Sequence, residues 1–245
     1  MKLLITADWH ADARTLGHAR FGDVDQAVRQ MVNAAAEHRV DAFCFLGDLC
    51  DPDAGSSVFR CCKLAISAAL MLHRVGIESI WIAGNHDVIE DGSGDTTLSP
   101  LCAIANAVRS IHVFERPSVV TRGIGDVSIM ALPFTATSHA YRPVGFVHGH
   151  ADAMRSGKWV VLSHLAVAGV QPGEETTDMP RGREVVLPRE LFPEELVGVT
   201  IVQGHYHHGQ RHHVDGFRDV VIPGAPVRLT FADENREPSF LIVEV

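Results

Sequence analysis

Three apolar runs, residues 3–7, 40–46 and 77–83, each break off at a short polar turn: Asp8-Trp9-His10, Gly47-Asp48 and Gly84-Asn85-His86-Asp87. None of the runs alternates polar with apolar, which is the pattern of a strand buried on both faces. Between them lie stretches with helical spacing. Val24, Ala27, Val28, Met31, Val32 and Ala35 follow Asp23; Phe59, Leu64, Ala68 and Leu72 follow Ser56 and Ser57, either of which is a candidate N-cap. A strand–helix–strand rhythm of this kind calls for a parallel sheet. The polar turns then gather along one edge, outside the carboxyl ends of the strands, where open α/β sheets build their sites.

The second half repeats the device with more strands. Runs at 119–121, 127–132, 159–162, 199–202, 220–222 and 240–245 read as strands. Ser163-His164 follows the third of them, Gly204-His205-Tyr206-His207 the fourth, and Pro223-Gly224-Ala225-Pro226 the fifth. The predicted fold class is α/β, a four-layer sandwich of two mixed β-sheets packed face to face with helices outside, in one domain over 1–245. The polar stretches 90–97 and 171–183 are the loop candidates.

Composition narrows the classes. With 46% hydrophobic residues in 245, the chain can build a large core. No run approaches the ~18 apolar residues of a membrane span. The first apolar run meets a charge too soon for a signal peptide, so a cytoplasmic protein is expected. Five cysteines without a CxxC pair predict reduced, buried thiols and no zinc ribbon. A net charge of -9 excludes a uniformly basic surface that coats nucleic acid. Arg181, Arg183, Arg189, Arg211, Arg218, Arg228 and Arg236 still leave room for a local phosphate track late in the chain.

Asp, His and Asn all ligate divalent metals. Asp8 and His10 are two apart, as are His205 and His207, so on extended strand ends each pair faces one side. Asp48, lying between two ions, could give an oxygen to each. Two such ions, about 3.5–4 Å apart, would clamp the attacking and leaving oxygens of a phosphoryl displacement. Mixed imidazole and carboxylate donors suit manganese, iron or zinc better than magnesium.

The ordered set D-x-H, G-D, G-N-H-D, H and G-H-x-H, from residue 8 to 207, resembles the calcineurin-like metallophosphoesterases. The resemblance implies one ion on Asp8, His10, Asp48 and His207, and a second on Asp48, Asn85, His164 and His205. It further implies a hydroxide bridging the ions as nucleophile, His86 as the acid protonating the leaving oxygen, and Asp87 orienting or charging His86. Asp8-Trp9-His10, Gly47-Asp48-Leu49-Cys50-Asp51, Ser163-His164 with Gly169, Gly204–Gln210 and the tail 223–231 resemble one branch, the SbcD-type DNA exonucleases. That branch implies a DNA phosphodiester substrate, manganese, and work in DNA repair or recombination. Its members carry a DNA-capping domain and an ATPase-docking segment beyond this tail. The chain stops at Val245, so no capping domain is expected, and an ATPase subunit is a candidate partner.

The alternative is a small-molecule phosphoesterase acting on a cyclic nucleotide, a nucleotide or a phosphoprotein. The acidic charge and missing cap favour it; the Trp9 motif and the Arg228 tail oppose it. A non-catalytic binding module is opposed by the retention of all eight positions. His148, His150 and Asp152 imitate a ligand set but match no position of the family and read as non-ligands. His208, His212 and His213 read as solvent-facing, Asp51 and Asp53 as outer supports or solvated loop, and Trp9 as a packing residue or a base-stacking one. The helix bearing Phe59, Leu64 and Leu72 is the candidate surface for a homodimer.

Overall fold

The computed structural model describes residues 1–120, 127–134, 143–167, 186–187, 199–213 and 219–245. The chain opens with β1 (Lys2–Thr6), a hairpin of β2 (Arg14–Thr15) and β3 (His18–Ala19), α1 (Phe21–Glu37) and β4 (Ala42–Phe45). Then come α2 (Ser57–Arg74), β5 (Glu78–Ile82), a 3-10 turn at Asn85–Asp87, α3 (Ser99–Ala105) and β6 (Ile111–Phe114). The second half holds β7 (Ser118–Val120), β8 (Val127–Leu132), α4 (Pro143–His148), α5 (Ala151–Arg155), β9 (Lys158–Ser163) and β10 (Ala166–Val167). It closes with β11 (Val186–Leu187), β12 (Val199–Gln203), β13 (Gln210–His213), β14 (Asp219–Ile222), a 3-10 turn at Phe231–Asp233 and β15 (Leu241–Glu244).

The described strands form two large mixed sheets, in the orders β15-β1-β4-β5-β6 and β13-β14-β12-β9-β8-β7. β1, β4, β5 and β6 run parallel, and β15 closes the first sheet antiparallel to β1. In the second sheet β14, β12, β9 and β8 are parallel, with β13 and β7 antiparallel at the two edges. Leu3, Ile5, Cys44, Ile80 and Ile82 meet Ile129, Ala131, Val160, Leu162 and Val202 in the layer between the sheets. Leu4, Phe43, Phe45 and Trp81 face the other way, onto α1 and α2. Met130, Val161 and Ile201 likewise face outward, onto Val147 and Met154 of α4 and α5. Both faces of each sheet are therefore buried, which is why the strand runs lack alternation.

Two local expectations fail, a capping bond and a buried Phe59, and two edge strands went unmarked. Ser56 is the N-cap of α2 but makes no side-chain capping bond. Phe59 is exposed, while Leu64, Ala68 and Leu72 are buried. Phe59 lies five residues before Leu64, about 140° off the buried stripe at 100° per residue. β6 and β13, which the hydrophobic pattern did not mark, lie at sheet edges, where one neighbour suffices and polar residues are tolerated. The loop expected at 90–97 is a turn-rich segment pinned by a Val88–Thr96 bridge; the one at 171–183 lies outside the described residues.

Candidate metal centre

All the polar turns meet where the carboxyl ends of the two sheets come together. The first and second are stitched by backbone bonds: the amides of Asp8, His10 and Ala11 donate to the carbonyls of Gly47, Asp48 and Leu49 at 2.9, 3.0 and 2.8 Å. The sheets join through His164, whose Nδ1 donates to the Leu46 carbonyl. That bond turns Nε2 toward Asp48 Oδ2 at 3.2 Å and Asn85 Oδ1 at 3.1 Å. The approach is so close that a Cβ on Gly47 (φ 96°) would lie 2.4 Å from His164 Nδ1 and 2.7 Å from the Gly84 backbone.

Two groups of donors result. Asp8, His10 and His207 offer ligand atoms within 4.8 Å of one another, and so do Asp48, His164 and His205. Asn85 Oδ1 lies 2.9 Å from His205 Nδ1, beside the second group. Asp48 spans the two: its Oδ2 is 3.6 Å from His10 Nε2 and 3.2 Å from His164 Nε2, while Oδ1 accepts the His86 amide at 2.9 Å. One oxygen of Asp48, rather than one for each ion, faces both groups. Asp8 divides similarly. Its Oδ1 accepts the His205 amide at 3.0 Å, and its Oδ2 is buried with no hydrogen-bond partner among the described residues. A buried carboxylate oxygen without a donor, beside imidazole nitrogens 3.0 Å apart (His10 and His207 Nε2), fits a cation.

The extended-strand argument for these pairs does not hold. β1 ends at Thr6 and β12 at Gln203, and Asp8, His10, Asp48 and His205 have φ of 55°, 39°, 62° and 78°. His205 and His207 consequently part, one to each group. Asp and His tolerate this left-handed region better than most residues, at a cost of order 1–3 kcal/mol each, and such strain concentrates at functional sites.

Burial raises the Asp8 carboxyl to about 6, against the pull of His164 and His207. Burial, then His207, holds His10 well below the usual imidazole range. Burial, then His164, pushes His205 down to about 3. For Asp48 burial opposes ionisation, yet the charge and hydrogen bond of His164 hold it well below the carboxylate range. Neutral His10 and His205 beside an ionised Asp48 suit metal binding. Burial lowers the His164 pKa, but the charge and hydrogen bond of Asp48 outweigh it and raise it to about 9, so His164 must give up a proton to bind a cation.

His86 stands at the rim with its side chain 41% exposed. Its ring does not meet Asp87, the partner expected from the sequence. Asp87 is fully buried, and its carboxylate accepts the amides of Asp48 (2.8 Å), Gly84 (2.7 Å) and Leu49 (2.9 Å) and the Thr97 hydroxyl (2.5 Å). Adjacent side chains on the 3-10 turn diverge, so Asp87 points in to clamp the β4 and β5 turns together. The partner of His86 is Asp51, 3.4 Å from Nδ1. Burial lowers the His86 pKa, but the Asp51 bond and the charges of Asp48 and Asp51 outweigh it and raise it to about 9.

Trp9 is wholly buried, edge-on to Phe45 and Trp81, with Nε1 donating to Thr6 Oγ1 at 3.0 Å. A base cannot stack there. His150 Nδ1 donates to the Phe146 carbonyl at 2.8 Å, and among the described residues neither it nor His148 joins a metal-type group. Asp53 and His208 are exposed. The tail backs the site: the Ala225 amide donates to the His207 carbonyl at 3.0 Å, and Gly224 (φ 75°) packs on Gly209. Arg228 and Arg236 are engaged locally, Nε of Arg228 with the Arg236 carbonyl and Arg236 with Asp233. Arg181, Arg183, Arg189 and Arg218 lie outside the described residues. Thr97 had no motif to reveal it, and Tyr206, whose hydroxyl accepts the Val167 amide at 2.8 Å, sat inside the Gly204–His207 motif without an assigned role. All five cysteines are free thiols, and among the described residues no helix is long and apolar enough to cross a membrane.

Known proteins with related sequences include the SbcD component of the SbcCD nuclease of Escherichia coli K12 and that of strain O157:H7. Each is 22% identical over 94% of this chain and 62% of its own length. The chain thus spans about three fifths of the length of these curated relatives. Among solved structures, a dimetal phosphatase from Danio rerio superposes with a TM-score of 0.57 at 11% identity, over 91% of this chain and 87% of the other. The sequence profile of the calcineurin-like phosphoesterases matches residues 1–223, and the chain belongs to that family of metal-dependent phosphoester hydrolases.

Proposed function

We propose that this protein is a two-metal phosphodiesterase acting on DNA, a manganese-dependent nuclease of repair or recombination in the cytoplasm, with residues 1–245 as its single catalytic domain. One ion is assigned to Asp8, His10, Asp48 and His207, the other to Asp48, Asn85, His164 and His205. Bound divalent ions would supply the Lewis-acid charge for displacement at phosphorus. The donor set suits manganese, iron or zinc.

The chain's own residues do the rest. Asp48 Oδ2 faces both donor groups, and the His86 amide keeps its other oxygen engaged. The His86 ring, reachable from solvent and backed by Asp51, holds the proton for the leaving oxygen. Asp87 and Thr97 hold the two turns at their spacing. What carries the DNA reading is the likeness to the SbcD nuclease components, which extends over nearly all of this chain. An ATPase subunit is the partner that this reading implies; a homodimer through α2 is the second interaction proposed.

The test is digestion of end-labelled DNA with added manganese, comparing wild type with His86→Ala at matched metal content. Cleavage by the wild type, reduced roughly a hundredfold or more in the variant, is expected of a lost general acid. Intact DNA, with a generic phosphodiester still hydrolysed, would overturn the DNA reading in favour of a small-substrate phosphoesterase.

A further inference from the structure

The β2–β3 hairpin grows directly out of the candidate metal centre. The Ala13 amide donates to the His10 carbonyl, and the Arg20 amide closes the hairpin on the Ala13 carbonyl, both at 2.9 Å. Leu16 and Gly17 make its turn, with φ of 47° and 81°. Gly, Asn or Asp ordinarily takes the first place of such a turn, and leucine there is strained. Leu16 is also 81% exposed. Neither backbone preference nor burial accounts for it.

A second segment reaches the same place from the other side. Thr15 Oγ1 donates to the Leu229 carbonyl at 2.6 Å, tying the hairpin to the tail. Two residues on, Phe231 is 67% exposed. The tail leads back through Ala225 to the His207 carbonyl. Two exposed apolar side chains therefore sit on segments anchored to His10 and His207, candidate ligands of one ion. Arg14 and Arg228 are exposed on the same segments and bond only neutral carbonyls there, of Gly17 and Arg236, at 2.6 and 2.7 Å. Of the two acids that follow Phe231, Asp233 is buried and occupied by Leu229, Thr230 and Arg236, and Glu234 is exposed at the end of the turn. Three residues from Ala13 to Leu16 span at most about 10 Å, roughly three nucleotide rises along one strand.

We propose that Leu16 and Phe231 form an apolar ledge that takes an unpaired nucleobase of a polynucleotide substrate, with Arg14 and Arg228 meeting the flanking phosphates. The proposal rests on the DNA reading above. Stacking on apolar side chains beside guanidinium–phosphate contacts is how sequence-tolerant sites hold single strands. Exposed cations flanking the apolar pair favour an anionic polymer over a second copy of an acidic protein.

The test compares wild type, Leu16→Gly, Phe231→Ala and the double variant, with manganese, on overhang DNA, blunt duplex and bis(p-nitrophenyl) phosphate. In the double variant, kcat/KM for overhang DNA relative to bis(p-nitrophenyl) phosphate should fall about tenfold, chiefly through KM, as expected for one lost stack. The blunt duplex should lose less. Leu16→Gly should unfold at the same or a higher temperature, because glycine relieves the turn. An unchanged ratio overturns the ledge; so does equal loss on all substrates, and so does an unchanged ratio accompanied by a dimer-to-monomer shift in light scattering. Failure of the DNA reading itself is visible in the wild type alone, as hydrolysis of bis(p-nitrophenyl) phosphate without cleavage of any DNA.

Discussion

Between Gly84 and the Asp48 carboxylate there is no room for a methyl group: a Cβ would sit 2.1 Å from Oδ1. The same Cβ would lie 2.5 Å from the Asp48 backbone amide, so Gly84→Ala should shift the β4 turn, lower the unfolding midpoint and abolish retention of the second metal equivalent after dialysis. Thr97 acts at one remove, through Asp87. Thr97→Val removes a hydrogen bond to a buried carboxylate, worth about 1.5–3 kcal/mol in urea unfolding, and should weaken metal affinity about tenfold by calorimetry. Thr97→Ser should restore both; a variant with wild-type metal affinity would show that the clamp is structural alone. Asp51→Asn should lower kcat on the order of tenfold, with little change in KM, if Asp51 keeps the His86 proton donor in place. The carboxylate, amide and imidazole residues of these turns were readable from the chain. The pairing of His86 with Asp51 rather than Asp87 was not, because chain neighbours on a 3-10 turn point apart and only the β4 and β5 turns lying side by side bring Asp51 across.

At the scale of elements, the 223–226 tail backs the candidate metal centre through the Ala225 amide, which donates to the His207 carbonyl. Gly224→Ala would place a Cβ 2.6 Å from the Gly209 amide at φ 75° and push on the His207 turn. We expect the metal stoichiometry to fall from two toward one at limiting manganese, measured by elemental analysis. Leu72 is fully buried where α2 meets the first sheet, so Leu72→Ala should cost about 2–5 kcal/mol in denaturant unfolding. Elements with a purely apolar run or a full stripe at helical spacing, such as β1, β4, β5, α1 and β9, were legible. The β2–β3 hairpin and the edge strands β6 and β13 were not, since short or one-sided strands need no apolar pattern.

At the scale of the whole molecule, the two sheets press carboxylates and imidazoles together at one rim, and cations bound there would stabilise the native state by mass action. Removing metal with a chelator should lower stability by about 2.7 kcal/mol relative to manganese at a hundred times its dissociation constant; scanning calorimetry with and without manganese measures it. An unchanged midpoint would argue against a native metal centre. Composition and periodicity alone determined the layered α/β architecture, because runs that cannot face water must be covered on both sides. They also determined that the carboxylate, amide and imidazole side chains follow strand ends. The family resemblance, not the spacing, implied that His205 and His207 part company; only the tertiary structure decided that one oxygen of Asp48 faces both groups and that Asp87 looks inward. These depend on left-handed torsions at the ends of β1, β4 and β12, and on contacts such as His164 with Leu46, 118 residues apart. No local pattern encodes such a contact; it exists only when both sheets have formed and their rims meet.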